Sequence, residues 1–438
     1  MELSTILALS LVLLLTIYIF FLWSKQQRYR SLPPGPTPIP LLGNPKYIDL
    51  KAPFIDFPEL HQLNQKYGPM FTIWKMSEPV VVLCGYETVK DALINHAEQF
   101  SARPYIAHYD ASTEGYGFNG LRWRSIRRVS MTSLRNFGMG KKTMEKRVLA
   151  ESKYLVPAVS ETGGKPFDPA MFLSHAAGNI ISTVLFGEQF DYKDEKLQEL
   201  LTSTYSLMRR FSSLLNTVEH ETDPDICDSS LFMSVIGLLT AAIGSTTSTI
   251  KFFLVLMAHY PDVQAKVQQE IDEVTKSLRS PEIEDKPQLA YTNAVIHEAL
   301  RVLDLSPTAF FHAVTEDIKF RGYTIPKGTT VIPFLSSVLQ DPSQWETPED
   351  FNPQHFLNED GQFRTRIAFL PFSAGKRVCL GENLARMEVF LIFSFLLQKF
   401  TFTLPPGTER QDSKYLNLNK PEIMASAQLC AVPRVLSK

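Results

Sequence analysis

Residues 3–23 run without a single charge, and at about 1.5 Å of helical rise each they reach roughly 31 Å, the hydrocarbon thickness of a bilayer. Glu2 precedes the run, and Lys25, Arg28 and Arg30 follow it, the reverse of the basic leader of a cleaved signal peptide. The expectation is a transmembrane helix over residues 1–24, with its cationic flank and everything beyond it on the cytosolic side. Residues 25–44 form that flank and a hinge, in which five prolines between Leu32 and Asn44 fix φ and remove amide donors. Neither helix nor central strand is expected there, but a stiff extended spacer ahead of a body at residues 45–438.

That body has to fold around a real core. At 44% hydrophobic and 21% charged over 438 residues, the chain is too apolar for disorder and too large for a disulfide-stapled miniprotein. Lys and Arg number 44 against 46 acids, a net charge of −2, which removes the whole-chain electrostatic case for nucleic acid. Cys84, Cys227, Cys379 and Cys430 lack the close pairing of a zinc site or redox dithiol. Runs at 70–76 and 80–83 around Ser77, Glu78 and Pro79 predict a hairpin. Runs at 318–320, 323–325 and 329–332 predict a second small sheet. Helical periodicity is clearest at 143–158, 232–258, 262–276, 291–303 and 382–398. The fold class is mainly α, with small β pieces at the edge.

The most informative stretch is Phe372 to Glu382, a glycine-bearing loop that holds one cysteine just before a long apolar helix. A thiolate there is positioned to take the helix dipole and amide hydrogen bonds, which lower its pKa and tune it as a metal ligand. Gly375 and Gly381 admit close approach of a flat cofactor, and Arg377 is placed to pair with an acidic substituent of it. On spacing alone, a small core residue is the commoner role of a lone cysteine. Glu298 and Arg301, three apart, share a helix face and can form a charge-assisted pair, although such a pair is commonly a solvated one.

The pattern Phe-x-x-Gly-x-Arg-x-Cys-x-Gly, filled by Phe372, Gly375, Arg377, Cys379 and Gly381, closely resembles the haem-thiolate signature of the cytochrome P-450 family. The likeness covers nearly the whole chain. It takes in the anchor, the Pro-Pro-Gly-Pro hinge, Trp123-x-x-x-Arg127, Glu298-x-x-Arg301 and Pro353-Gln-His-Phe356, and it points to the animal microsomal group that handles foreign compounds and lipids. The resemblance implies a cytochrome P-450 fold around haem b (iron protoporphyrin IX), with Cys379 as axial ligand. It places Arg103, Trp123, Arg127, His312 and Arg377 at the haem propionates and Phe372 and Gly381 in the cofactor loop. It locks Glu298 and Arg301 to a meander in which His355 stands where many members have arginine. It implies an endoplasmic reticulum location, a lipophilic small-molecule substrate, dioxygen and an NADPH-dependent reductase, with a b-type cytochrome as a further partner. Residues 121–150 carry nine basic residues against Glu145 alone, a local charge of +8. The resemblance reads this patch as the docking face of an acidic flavoprotein, and a solvated helix face or lipid headgroup contact is the other reading.

Two departures stand out. The family's Ala-Gly-x-acid-Thr-Thr on the central helix becomes Ala241-Ala242-Ile243-Gly244-Ser245-Thr246, and residues 238–250 contain no Asp or Glu. Ser245 and Thr246 are therefore the candidate catalytic hydroxyls, holding water where an acid is missing. After Phe190-Asp-Tyr-Lys-Asp194, too few residues remain before the central helix, expected from Met233 with a loop over 223–228, for the usual two helices that roof the substrate pocket. Ser306, Thr308, Ala309 and Phe310 are expected pocket-lining positions. The leading reading is a haem-thiolate monooxygenase that hydroxylates or epoxidises a xenobiotic, fatty acid or steroid. The alternatives are a haem-thiolate isomerase or dehydratase of hydroperoxides, which does without the acid, and a catalytically impaired haem-binding homologue.

Overall fold

The structure, a computed structural model, describes residues 29–47, 57–104, 120–136, 142–187, 190, 226–411 and 427–435, together with Leu13 and Thr16. Apart from those two, both helical, the candidate anchor lies outside the described residues, as does the shortened roof segment at 191–225. The chain divides into two compact units, Met1–Pro104 with Thr308–Phe334, and Tyr105–Pro307 with Leu335–Lys438.

The first unit holds helix α1 (Phe57–Tyr67) and the expected hairpin, β1 (Met70–Lys75) antiparallel to β2 (Glu78–Leu83), with Met70 opposite Leu83. β3 (His312–Ala313), β4 (Ile318–Phe320), β5 (Tyr323–Ile325) and β6 (Thr330–Pro333) follow. The sequence predicts the last three as one sheet, and the structure corrects this. β4 pairs with β5 alone, while β6 runs parallel to β2, with Val81 opposite Val331, in the order β1-β2-β6-β3. Val331 and Ile332 are fully buried, and a parallel partner far away in sequence covers such a strand where a local hairpin leaves a face open. Leu60, Phe71, Ile73, Val82, Ile332 and Phe334 pack together beneath.

The proline segment is extended, as expected, and it is pinned rather than free. The Thr72 amide donates to the Pro34 carbonyl at 2.9 Å and its hydroxyl to the Pro33 carbonyl at 2.8 Å. The Asn44 side chain accepts from the Trp74 amide at 2.8 Å and donates to the Thr37 carbonyl at 3.1 Å. The strap thus covers the outer edge of β1, an edge otherwise open to mispairing. A Cβ at Gly35 would stand 1.8 Å from the Thr72 carbonyl oxygen. Gly35→Ala is therefore expected to cost about 1–3 kcal/mol, the range for overpacking, and to lower the thermal midpoint. An unchanged midpoint would show that the strap contributes nothing to the unit.

The second unit is helical: α2 (Gly120–Asn136), α3 (Lys142–Ser160), α4 (Ala170–Phe186), α5 (Ile226–His259), α6 (Pro261–Thr275), α7 (Ala290–Leu303) and α8 (Glu382–Lys399), with β7 (Phe400–Thr403) antiparallel to β8 (Cys430–Pro433). The five strongest periodic segments all appear as helices. α5 begins earlier than expected, so Ile226 to Asp228 are helical rather than loop, since no glycine or proline interrupts the chain from 226 to 236. Its stretch Val235–His259 is, among the described residues, the helix long and apolar enough to cross a bilayer. It is mostly buried and serves as the core, where Phe253 meets Phe393 of α8 with ring centroids 5.6 Å apart. The buried Ala176, Ala177 and Gly178 let α4 lie close against it.

Candidate active site

Cys379 lies three residues before α8 on a loop that the sequence folds tightly. Its own amide donates to the Phe372 carbonyl at 3.0 Å, and Val378 closes a turn onto Gly375 at 3.2 Å. Gly375 holds φ at +69°, the left-handed region in which a side chain is strained. The sulfur is exposed at one side, and the amides of Gly381 and Glu382 point at it from the first turn of α8. The expected depression of its pKa does not hold. Burial of its other sides pushes the thiol up, and the Glu382 carboxylate adds to this, against the two amides and Arg127. A bound metal cation ionises such a thiol outright.

Three of the expected cofactor contacts gather at this loop. Arg127 of α2 donates to the Val378 carbonyl at 2.6 Å, fastening α2 to the cysteine turn. Its guanidinium lies 5.9 Å from the centre of the Trp123 ring, and that of Arg377, itself buried, lies 3.4 Å from the same ring. Phe372 is half-buried under Arg386, 4.8 Å away, which in turn bonds Glu382 at 2.9 Å. Arg103 and His312 belong to the first unit. There Arg103 donates to the carbonyls of Phe310 and Phe311 at 2.6 and 2.9 Å, and the buried His312 ring bonds the Phe100 carbonyl at 2.6 Å. Of the other pocket candidates, Phe310 and Ala309 lie beside them, Phe310 exposed and Ala309 strained at φ +50°.

These residues fit an iron porphyrin. Among the described residues no group of three His, Cys, Asp or Glu could hold a metal ion by itself; the loop presents the Cys379 thiol, and a porphyrin would bring the iron's other ligands. A Cβ at Gly381 would meet no atom within 4 Å, so the loop leaves room for a flat body. Two guanidinium groups and an indole at this loop are the kind of cations and donors that buried propionates need.

The same unit holds a buried lock. Arg301 grips Glu298 through two hydrogen bonds of 2.8 and 2.7 Å, and it spends its remaining donors on the carbonyls of Leu339, Pro348 and Asp350. Glu298 also accepts from the Asn352 amide at 2.9 Å and from His355 Nδ1 at 3.1 Å. The Thr347 amide donates to His355 Nε2 at 3.1 Å, which leaves the ring hydrogen on Nδ1, facing the carboxylate. Burial alone would raise Glu298, yet the bonds from Arg301 and His355 hold it below its ordinary value. This is the architectural role expected of the pair, and His355 fills the third place.

On α5 the two candidate hydroxyls differ. Ser245 is half-exposed and donates back to the Ala241 carbonyl of its own helix. Thr246 is buried and donates to Glu388 of α8 at 3.1 Å. Glu388 itself was not singled out from the sequence. The signal was present, since it is the one charge within the apolar run 387–397.

Comparison with known proteins agrees with this geometry. The family model for Cytochrome P450 matches residues 33–220 and 211–426. Cytochrome P450 2K4 of Oncorhynchus mykiss is 38% identical over 497 residues, covering 99% of this chain and 98% of the relative. Cytochrome P450 2C20 of Macaca fascicularis is 39% identical over 490, covering 98% of each. Cytochrome P450 2A13 of Homo sapiens is 38% identical over 472, covering 93% of this chain and 95% of the relative. An alignment of 497 positions on a chain of 438 residues passes over a stretch that this chain lacks, and the family model itself matches in two pieces that meet at 211–220. Both agree with the shortening expected after Asp194. The chain belongs to the cytochrome P450 family and is a haem-thiolate monooxygenase.

Proposed function

We propose that this chain oxidises a lipophilic small molecule at a haem held by Cys379, with electrons delivered by an NADPH-dependent reductase that docks on the cationic helices α2 and α3. The observation that carries this reading is the exposed Cys379 sulfur on its closed loop, with Arg127, Arg377 and Trp123 beside it. When bound, the haem supplies the reaction with dioxygen. The chain's own share is to hold the sulfur, to bind the propionates through Arg127, Arg377 and Trp123, and to manage protons along α5 through Ser245 and Thr246. Phe372 and Gly381 shape the loop. Residues 1–24 would tether the catalytic body, residues 45–438, to the endoplasmic reticulum membrane through the hinge at 25–44, which suits a substrate dissolved in lipid.

Exposed Arg124, Arg128 and Arg135 on α2 and exposed Lys142 and Lys146 on α3 supply the docking charge, and Lys142 shares part of it with Glu284 at 2.7 Å. A b-type cytochrome with an acidic face would compete for the same surface. The double variant Arg124→Glu, Arg128→Glu is expected to slow reductase-dependent turnover of a fatty acid or alkylbenzene panel about tenfold at low salt, with the gap closing at high salt. Equal rates at low ionic strength would remove α2 as the docking face.

A further inference from the structure

The reaction consumes protons, and the central helix carries no carboxyl over residues 238–250 to supply them. That helix nevertheless touches one. Glu388 is buried among the apolar side chains of α8, and the hydrogen bond from Thr246 at 3.1 Å joins it to α5. Among the described residues no cation is paired with it. Of the charged groups on or against the elements packed on α8, Lys251 of α5 is held by Asp168 at 2.7 Å, Arg301 of α7 by Glu298 at 2.7 Å and Asp272 of α6 by Arg434 at 2.6 Å, while Lys286 lies over the ring of Phe390 at 5.2 Å. On α3, Glu151 accepts from Asn179 at 3.4 Å. Arg386 of α8 itself pairs with Glu382 at 2.9 Å. Burial pushes Glu388 up to about 8, and the Thr246 hydroxyl is the opposing influence. Asp304 is also raised, to about 7, but sits at the end of α7 beside Ser336.

We infer that Glu388 is the proton reserve of this enzyme, a positioning residue that acts through the Thr246 hydroxyl in place of the acid missing from the central helix. In the structure the Thr246 hydroxyl donates to Glu388; once the carboxyl is protonated the pair can reverse, Glu388 donating to Thr246 Oγ1, which frees the threonine's own hydrogen to be passed on. In the transfer the Glu388 O–H bond breaks, its proton joins Thr246 Oγ1, and the hydroxyl hydrogen leaves Thr246 for a water near the half-exposed Ser245. Glu388 is left as a buried carboxylate until a proton from solvent returns along the same hydroxyl. Because a buried anion without a cation is costly, that return is favoured below about pH 8, which suits a reserve.

The inference rests on the haem-thiolate reading of Cys379, and the test separates the two. Infrared spectroscopy of the haem-loaded protein should show the carbonyl stretch of a protonated carboxyl at pH 7. The band should fade as pH passes about 8 and be absent from Glu388→Gln. In turnover with reductase, Glu388→Gln and, independently, Thr246→Val should lower the share of NADPH electrons that reach product by about 100-fold or more, the loss appearing as hydrogen peroxide. Wild-type coupling should fall above pH 8, while that of Glu388→Gln stays flat. An ionised Glu388 at pH 7, or variants with a normal carbon monoxide spectrum and wild-type coupling at every pH, would overturn the proposal. A wild-type protein lacking the thiolate spectrum would overturn the haem reading beneath it.

Discussion

Cys379→Ala abolishes monooxygenase turnover and the thiolate-type carbon monoxide spectrum, while the fold of the haem-free chain stays nearly as stable as before. The two halves of this expectation have separate grounds. Cys379 is the free, exposed thiol that this loop presents, and thiolate donation is what favours O–O cleavage in this chemistry. Without sulfur, Arg127, Arg377 and Trp123 still present donors to the propionates, so some haem binds in an inactive state. The sulfur packs against nothing on its exposed side, and its removal resembles a surface substitution, within about ±0.5 kcal/mol. The loop is instead closed by backbone bonds, from Cys379 to Phe372 and from Val378 to Gly375, which alanine keeps. The checks are a reduced carbon monoxide difference spectrum and a denaturation curve of the haem-free protein. A spectrum that survives the substitution unchanged would remove Cys379 from the site.

Chemistry was more legible in this sequence than topology. The cysteine loop, the Glu298 and Arg301 pair and the Trp123 and Arg127 pair are local patterns whose spacing carries their geometry: Arg127 bonds the Val378 carbonyl of the loop, and Arg301 bonds Glu298. Where a partner lies far away in the chain, local pattern is silent. Thr330–Pro333 has the composition of a hairpin strand, and only the burial of Val331 and Ile332 against β2 decides its place. α2 was hidden because its cations dilute the apolar stripe, and it is ordered by what it touches, the Val378 carbonyl through Arg127. The expected low pKa of Cys379 failed for a related reason, since dipole and amides can be read from order along the chain whereas burial cannot. Glu388 shows the reverse case, a single charge in an apolar helix whose meaning depends on Thr246, 142 positions away.

Glu298→Gln is the substitution with the largest expected effect on folding. It leaves Arg301 buried and half unpaired at the junction where Leu339, Pro348 and Asp350 also depend on its position. Breaking one partner of a buried pair costs about 3–5 kcal/mol, because the other charge is left uncompensated. That is a large share of the stability of an ordinary domain. The loss should appear as a lowered denaturation midpoint of the haem-free chain and as poor haem retention, with the haem that remains spectrally normal. His355→Ala, which removes one of the bonds to the carboxylate, should cost less, about 1–3 kcal/mol. The pH dependence supplies a second check, because Glu298 and Glu388, two of the buried carboxyls of this unit, have opposite signs. Glu298 is held below its ordinary 4.5, so its contribution is complete above that value and is lost as pH falls through its folded value. Glu388 is raised from 4.5 to about 8, so it favours the fold most below 4.5. It costs about 1.4 kcal/mol per pH unit as pH rises through that window. Glu298→Gln should therefore flatten the acid limb of the stability profile and Glu388→Gln the alkaline limb. An acid limb untouched by Glu298→Gln would show that the lock holds the fold by shape rather than by charge.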